Sequence, residues 1–191
     1  KESNMSVSLE KGQKVDLTKG SSSNTFYVGL GWDAQSLPGA AEYDIDVSAV
    51  ILGANSKVVS DNHFVFYNNL NDPENSVTHT GDNLTGQGDG DDESVIVDLS
   101  KINANATEIS IVLTIHDAVN RGQNFGSVKN AFIRVCNANT DGSAGTELMR
   151  FDLSEDYSLF TALHVGSIYL NNSEWKFEAV GTGMKGGLQD Y

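Results

Sequence analysis

The sequence predicts an all-β protein, an antiparallel β-sandwich of two sheets with few short helices. Apolar and polar residues alternate with a period of two in segments rich in β-branched and aromatic side chains. Clusters of Gly, Asn, Asp and Ser separate these segments, and only two prolines interrupt the 191 residues. Many short strands joined by polar turns are typical of a sandwich.

About ten segments are predicted as strands. The first two alternate Val7 with Leu9 and Val15 with Leu17, and "TFYVGLGW" and "YDIDVSAVIL" follow. The others are "NHFVFYN", "VIVDLS", "EISIVLTIH", "NAFIRVCNA", "ELMRFDLS", "TALHVGSIYLNN" and "EWKFEAVG". Helix is expected only as one turn in "HDAVNRGQ" and as a short piece near Ser154 to Tyr157.

Length and charge restrict the classes of function. A chain of 191 residues is expected to form one domain, over 5–191, with 1–4 as a non-native extension before Met5. The formal charge of −14 disfavours nucleic acid as a partner. No apolar run approaches the roughly 20 residues of a membrane helix, so direct membrane insertion is not expected. The start of the chain lacks a signal-peptide pattern and Cys136 is the single cysteine, so we expect a cytoplasmic location.

One loop concentrates acidic residues, in the stretch "GDNLTGQGDGDDE". Its carboxylates are those of Asp82, Asp89, Asp91, Asp92 and Glu93, and glycines such as Gly90 let backbone carbonyls turn inward. Calcium takes six to eight oxygen ligands, whereas magnesium retains water and zinc prefers His and Cys. The spacing does not match an EF-hand. The loop is therefore either a solvated acidic turn or a loop site for calcium.

Other oxygen-bearing residues flank predicted strands, so several of them could meet at one end of the sandwich. In "YDIDVSAVIL", two aspartates share one face of the strand; they repel each other there, which favours a cation or an early end of the strand. The residues concerned are Asp33, Asp44, Asp46, Asn68, Asn69 and Asp117.

Catalytic motifs are not apparent. His116–Asp117 places a base beside a carboxylate, but no nucleophile motif accompanies it. The sequence contains no H-E-x-x-H and no P-loop. His63, His79 and His164 occur singly and are interpreted as ordinary structural histidines.

Long segments taken together resemble the TerD family of bacterial tellurium-resistance and stress-response proteins. They are "GLGWD", "YDIDVSAVIL", "FVFYNNL", "HTGDNLTGQGDGDDE", "TIHDAVNRGQNFGSVKNAFIRV", "ELMRFDLSED" and "EWKFEAVGTGMKGG". The resemblance implies a sandwich that binds calcium at loops on one end, with no catalytic reaction. The matching positions are the acids of the 82–93 loop and the six oxygen-bearing residues named above. "NANTDGSAGTEL" departs from the family pattern and is expected to extend a hairpin away from the metal end.

The favoured function is a calcium-binding, non-enzymatic module that holds two Ca²⁺ ions. Its expected partner is a protein, one of the other products of the same resistance system. The alternative is a metal-dependent hydrolase that uses the acidic cluster to activate water. Direct chemistry on tellurite is disfavoured, because Cys136 lies in an apolar run and is expected to be buried, whereas such chemistry needs an accessible thiolate.

Overall fold

Two six-stranded sheets form the molecule, which confirms the predicted all-β sandwich. The computed structural model describes residues 6–19, 23–34, 43–80 and 91–184. The first sheet runs in the order β1 (Val7–Leu9), β10 (Ala144–Asp152), β9 (Val128–Ala138), β3 (Thr25–Ala34), β7 (Glu93–Asp98) and β6 (Val77–His79). The second runs β2 (Lys14–Asp16), β12 (Glu174–Met184), β11 (Ala162–Asn171), β8 (Glu108–Ile115), β4 (Ile45–Leu52) and β5 (Phe64–Val65).

The strand pairs are antiparallel with one exception. β1 pairs with β10 in parallel, with Val7 opposite Met149. β5 ends one sheet and β6 ends the other, and these two edge strands contact each other. The two sheets therefore meet along the edge formed by β5 and β6.

Alternation along the central strands fills the core between the sheets, as the period of two predicts. The inward side chains of β3 and β4 are fully buried, and each of the large ones contributes about 1.5–3 kcal/mol to folding as an upper estimate. These side chains are Phe26, Val28 and Leu30 of β3 and Val47, Ala49 and Ile51 of β4.

Short helical turns occur where loops reverse direction. The expected turn in "HDAVNRGQ" is present as α1 (Ala118–Arg121), and 3₁₀ turns cover Ala54–Ser56, Asp61–His63 and Phe125–Ser127.

The prediction of a short helix near Ser154 to Tyr157 is wrong, because this segment contains no helix. There the Asp156 Oδ1 accepts a hydrogen bond from the Ser158 amide at 2.9 Å, which offers the backbone an alternative to helix. The buried Tyr157 also donates its hydroxyl proton to the Gly181 carbonyl at 2.9 Å.

Two details of the strand prediction also differ from the structure. β6 was not predicted, because its three residues lie between polar turns and give too little alternation. β4 begins at Ile45, so Asp44 lies before the strand and is exposed. Asp46 and Ser48, on the face opposite the core, are only 5% and 0% exposed, so this face is covered here rather than solvated.

The two ends of the sandwich differ in character. We call the acid end the one at which β3 and β8 finish and β4 and β7 begin. The turn between β9 and β10, within "NANTDGSAGTEL", lies at the other end, as expected.

None of the helices in the described ranges is long and apolar enough to cross a membrane.

Candidate metal site at the acid end

The acid end brings together six of the predicted site residues. Three of the predicted residues, Asp82, Asp89 and Gly90, lie outside the described residues. The six at the acid end are Asp33 in β3, Asp44 and Asp46 at the start of β4, Asp92 and Glu93 at the start of β7, and Asp117 after β8. Both sheets therefore contribute carboxylates to this end.

Glu93 connects the two sheets. It shares the inward face of β7 with the buried Val95 and Val97, and it is only 8% exposed. Its Oε2 accepts a hydrogen bond from the Val47 amide of β4 at 2.8 Å. The Nε2 of buried His79 lies 3.4 Å from the same oxygen. The Glu93 carboxylate therefore lies at the acid end of the core, in contact with the Val47 amide of β4 and with His79 of β6.

Asp92 lies beside like charges. Its Oδ2 accepts a hydrogen bond from the Trp32 amide at 2.8 Å, so the side chain lies along the end of β3. Burial raises the pKa of Asp92, and the nearby charges of Asp33 and Asp91 raise it further, while the Trp32 hydrogen bond lowers it. Asp33 itself accepts a hydrogen bond from the Asn130 side chain at 2.8 Å. Ionised Asp92 and Asp33 therefore repel each other.

Asp91 has a different environment from its two neighbours in sequence. Arg134 of β9 donates to it from Nη2 at 2.6 Å and from Nε at 3.0 Å, and the Tyr27 hydroxyl donates at 3.1 Å. The carboxylate lies against Gly29, where a Cβ atom would come within 2.5 Å of its Cγ. Asp91 therefore has its charge offset by an arginine, and ligation of a metal by this residue stays a prediction.

Three further acids belong to the second sheet. The Asp44 carbonyl accepts a hydrogen bond from the His116 amide at 2.8 Å, which continues the pairing of β4 and β8 beyond the strands. Asp46 is buried on β4, opposite Thr114. Asp117 adopts φ 55° immediately before α1 and accepts a hydrogen bond from the Asn120 side chain at 2.6 Å. Asp44 and Asp117 are exposed.

Asn68 and Asn69 lie in the turn that follows β5. The Asn69 side-chain amide donates to the carbonyls of Phe64 at 2.8 Å and of Asn62 at 3.1 Å, so it holds this turn together. Asn68 is exposed. The structure gives Asn69 a local structural role, and ligation by either residue stays a prediction.

The donor set of the acid end fits calcium. Among the described residues, Asp33, Asp44 and Asp92 form no ion pair with a lysine or arginine. Carboxylate oxygens are ligands that Ca²⁺ prefers, and the partly buried Asp92 lies near the exposed Asp33. A cation at this end would lower the repulsion that raises the pKa of Asp92.

Sequence patterns did not identify the residues that contact two of the predicted acids, namely Arg134 beside Asp91 and His79 beside Glu93. Arg134 was assigned only to a strand, and His79 was interpreted as an isolated histidine. Both contact partners that are distant in the sequence; Arg134 and Asp91 are 43 positions apart. No local signal at either position indicates its partner.

Cys136 is buried, as predicted. Its side chain is 0% exposed on β9, and burial raises the pKa of its thiol to about 11. Because the thiolate is the reactive form of cysteine, this environment disfavours direct chemistry of Cys136 on tellurite.

Comparisons with known proteins identify the family. The TerD domain model matches residues 5–191. General stress protein 16U of Bacillus subtilis (strain 168) and the tellurium resistance protein TerD of Serratia marcescens are each 51% identical over 185 residues, covering 96% of this chain and 94% of theirs.

A crystal structure extends the comparison to the fold. It belongs to a homologue of telluride resistance protein (TerD) from Streptomyces coelicolor A3(2), with TM-score 0.66 and 20% identity, covering 87% of this chain and 93% of that one. At this identity the likeness concerns the fold alone. With the family model and the two relatives, it leads to one conclusion: this chain belongs to the TerD family of tellurium-resistance and stress-response proteins.

Proposed function

We propose that this protein is a calcium-binding, non-enzymatic component of a bacterial tellurite-resistance and stress-response system, acting in the cytoplasm. Calcium-ordered loops at the acid end would dock a protein partner, one of the other products of the same system. The single observation that carries the proposal is that the partly buried Asp92 lies beside Asp33 and Asp91 and, among the described residues, pairs with no lysine or arginine.

The residues proposed to hold calcium are those predicted from the sequence; among the described ones, Asp92 and Asp33 lie near enough for their charges to interact. Bound calcium would supply positive charge that offsets the repulsion among these carboxylates. The chain contributes the rest: the Val47 amide orients Glu93, and the Trp32 amide orients Asp92. Two ions would change the formal charge of −14 by +4, to −10.

Exposed apolar side chains support a docking role for this end. Val119 of α1 is 88% exposed, and Leu159, which precedes β11, is 72% exposed. Both belong to segments that adjoin strand ends at the acid end. If calcium orders these segments, it would hold Val119 and Leu159 in a fixed orientation in which a partner protein could contact them.

The calcium step is tested by calorimetric titration and thermal unfolding of the demetallated full chain. A ligand at 100 times its Kd stabilises the fold by about 2.7 kcal/mol, so calcium should raise the Tm and excess chelator should reverse the rise. Asp92→Asn and Asp46→Asn should each weaken calcium binding roughly tenfold or more, because each removes a ligand charge. Asp16→Asn is the matched control, since exposed Asp16 pairs with Lys176 away from the acid end.

Three results would contradict parts of the proposal. Identical melting curves with calcium and with chelator would exclude a calcium site that orders the fold. Metal-dependent hydrolysis of ester or phosphodiester substrates by the wild-type protein, lost in Asp92→Asn, would instead favour the hydrolase. Partner docking is tested by calcium-dependent co-purification with the other products of the resistance system, and equal recovery in chelator would contradict it.

A further inference from the structure

A second group of metal-ligand side chains lies away from the acid end. It consists of His63, Asp72 and Glu74, which we call the edge cluster. One donor atom from each residue lies within 4.8 Å of the others. The cluster combines an imidazole nitrogen with two carboxylate oxygens, which is a donor set for a transition metal rather than for calcium.

The edge cluster lies where the two sheets adjoin. His63 ends the 3₁₀ turn that leads into β5, the edge strand of the second sheet. Asp72 and Glu74 lie in the turn that leads into β6, the edge strand of the first sheet. A metal held by all three would therefore cross-link the sheets along their open edge.

Burial separates these residues from ordinary surface acids. His63 is 5% exposed and Asp72 is 2% exposed, while the Glu74 side chain is 29% exposed. In the described part of the chain, no lysine or arginine forms an ion pair with Asp72 or Glu74. Two carboxylates, one of them buried, thus share a single histidine as their potential cation, which leaves negative charge for a dication to offset.

Each member of the cluster is held by a neighbour outside it. The Ser60 hydroxyl lies 2.6 Å from His63 Nδ1, and the Nε2 of the same ring lies 2.8 Å from a Glu74 oxygen. The Asn103 amide donates to the other Glu74 oxygen at 2.5 Å. The Val77 amide and the Ser76 hydroxyl donate to Asp72 at 2.8 and 2.5 Å.

This arrangement leaves the ligand atoms in place for a metal. In the metal-free protein, the 2.8 Å contact with Glu74 places a proton on His63 Nε2. A metal would take the place of that proton, and Nδ1 would then carry the ring proton and donate it to the Ser60 hydroxyl. Ligands of a tetrahedral zinc ion at about 2.1 Å lie about 3.4 Å apart, so the ion would widen the His63–Glu74 contact and draw Asp72 inward. Open coordination positions would be filled by water, since the edge is partly exposed at Glu74.

We propose that His63, Asp72 and Glu74 form a zinc site that joins the two sheets at the β5–β6 edge. The edge cluster shares no residue with the calcium site proposed at the acid end.

The test is zinc titration of the demetallated full chain against a chromophoric chelator, with calcium in excess to occupy the oxygen sites. One equivalent of zinc should bind to the wild type and raise its Tm. His63→Gln and Glu74→Gln should weaken zinc binding roughly a hundredfold, and Ser60→Ala roughly tenfold, because loss of an outer hydrogen bond weakens metal sites 10- to 100-fold. His116→Gln is the matched control, since His116 is exposed at the acid end.

The Glu74 variant keeps the test decisive if His63→Gln fails to fold, because Glu74 is partly exposed and its amide retains an acceptor for Asn103. Equal zinc affinity of the wild type and Glu74→Gln would overturn the proposal, as would a wild type that binds no zinc in excess calcium. Asp46→Asn separates this inference from the proposed function, since it should weaken calcium binding and leave zinc binding unchanged.

Discussion

Glu93 of one sheet accepts a hydrogen bond from the backbone amide of Val47 in the other sheet, at 2.8 Å. Both residues are buried, with relative exposures of 8% and 0%. The contact fastens β7 to β4 at the acid end, where both of these strands begin. A carboxylate in the predicted metal site is therefore also part of the sandwich core.

Glu93→Ala should destabilise the metal-free protein by about 1–3 kcal/mol, because the buried Val47 amide loses its acceptor. Glu93→Gln retains an acceptor oxygen and should lose less. Urea unfolding in excess chelator measures both effects without a contribution from calcium. An alanine variant as stable as the wild type would show that the Val47 amide is satisfied without Glu93.

Gly29→Ala should destabilise the protein by roughly 1–3 kcal/mol, as is typical of an added methyl group in a packed site. The new Cβ would lie 2.5 Å from the Asp91 Cγ and displace that carboxylate from Arg134. Denaturant unfolding gives the magnitude. The control is the same substitution in an Asp91→Ala background, where the penalty should shrink; an equal penalty in both backgrounds would place the strain elsewhere.

The stability of the metal-free protein should carry a pH dependence from Asp92. The pKa of Asp92 is raised above its ordinary 3.8, so the folded state keeps this proton to a higher pH than the unfolded chain does. The stability that Asp92 contributes is complete below the ordinary pKa and is lost as pH rises through the folded pKa.

Asp92→Asn removes this titration. The free energy of unfolding of the Asn variant, relative to the wild type, should therefore increase between about pH 3 and about pH 7 in demetallated protein. Chemical unfolding at the two pH values measures the difference. Asp16→Asn is the control, and a relative stability of Asp92→Asn that is constant with pH would contradict the raised pKa.

Cys136 should be unreactive in the folded protein. The side chain is fully buried and its pKa is raised to about 11, so a thiol reagent should label it much more slowly in buffer than in denaturant. Cys136→Ala should leave tellurite resistance intact in a host that depends on this protein. Rapid labelling of native protein, or loss of resistance in a variant that still folds, would revive direct thiol chemistry.

The sequence by itself determined the features that depend on neighbouring residues. Period-two alternation fixed the inward faces of β3 and β4, and the apolar run around Cys136 predicted its burial. Strand candidates were found wherever several residues alternate, and β6, with three residues, was too short to show this signal.

Only the tertiary structure decided which distant residues meet. The parallel pairing of β1 with β10, the ion pair of Asp91 with Arg134 and the bond from Val47 to Glu93 each join residues far apart in the chain. The edge cluster likewise joins the turns before two strands of different sheets. Hydrophobic periodicity indicates which face of a strand is buried, but the residue that it meets across the sandwich depends on the packing of the whole chain. The sequence around His63 therefore gave no sign that Asp72 and Glu74 lie beside it.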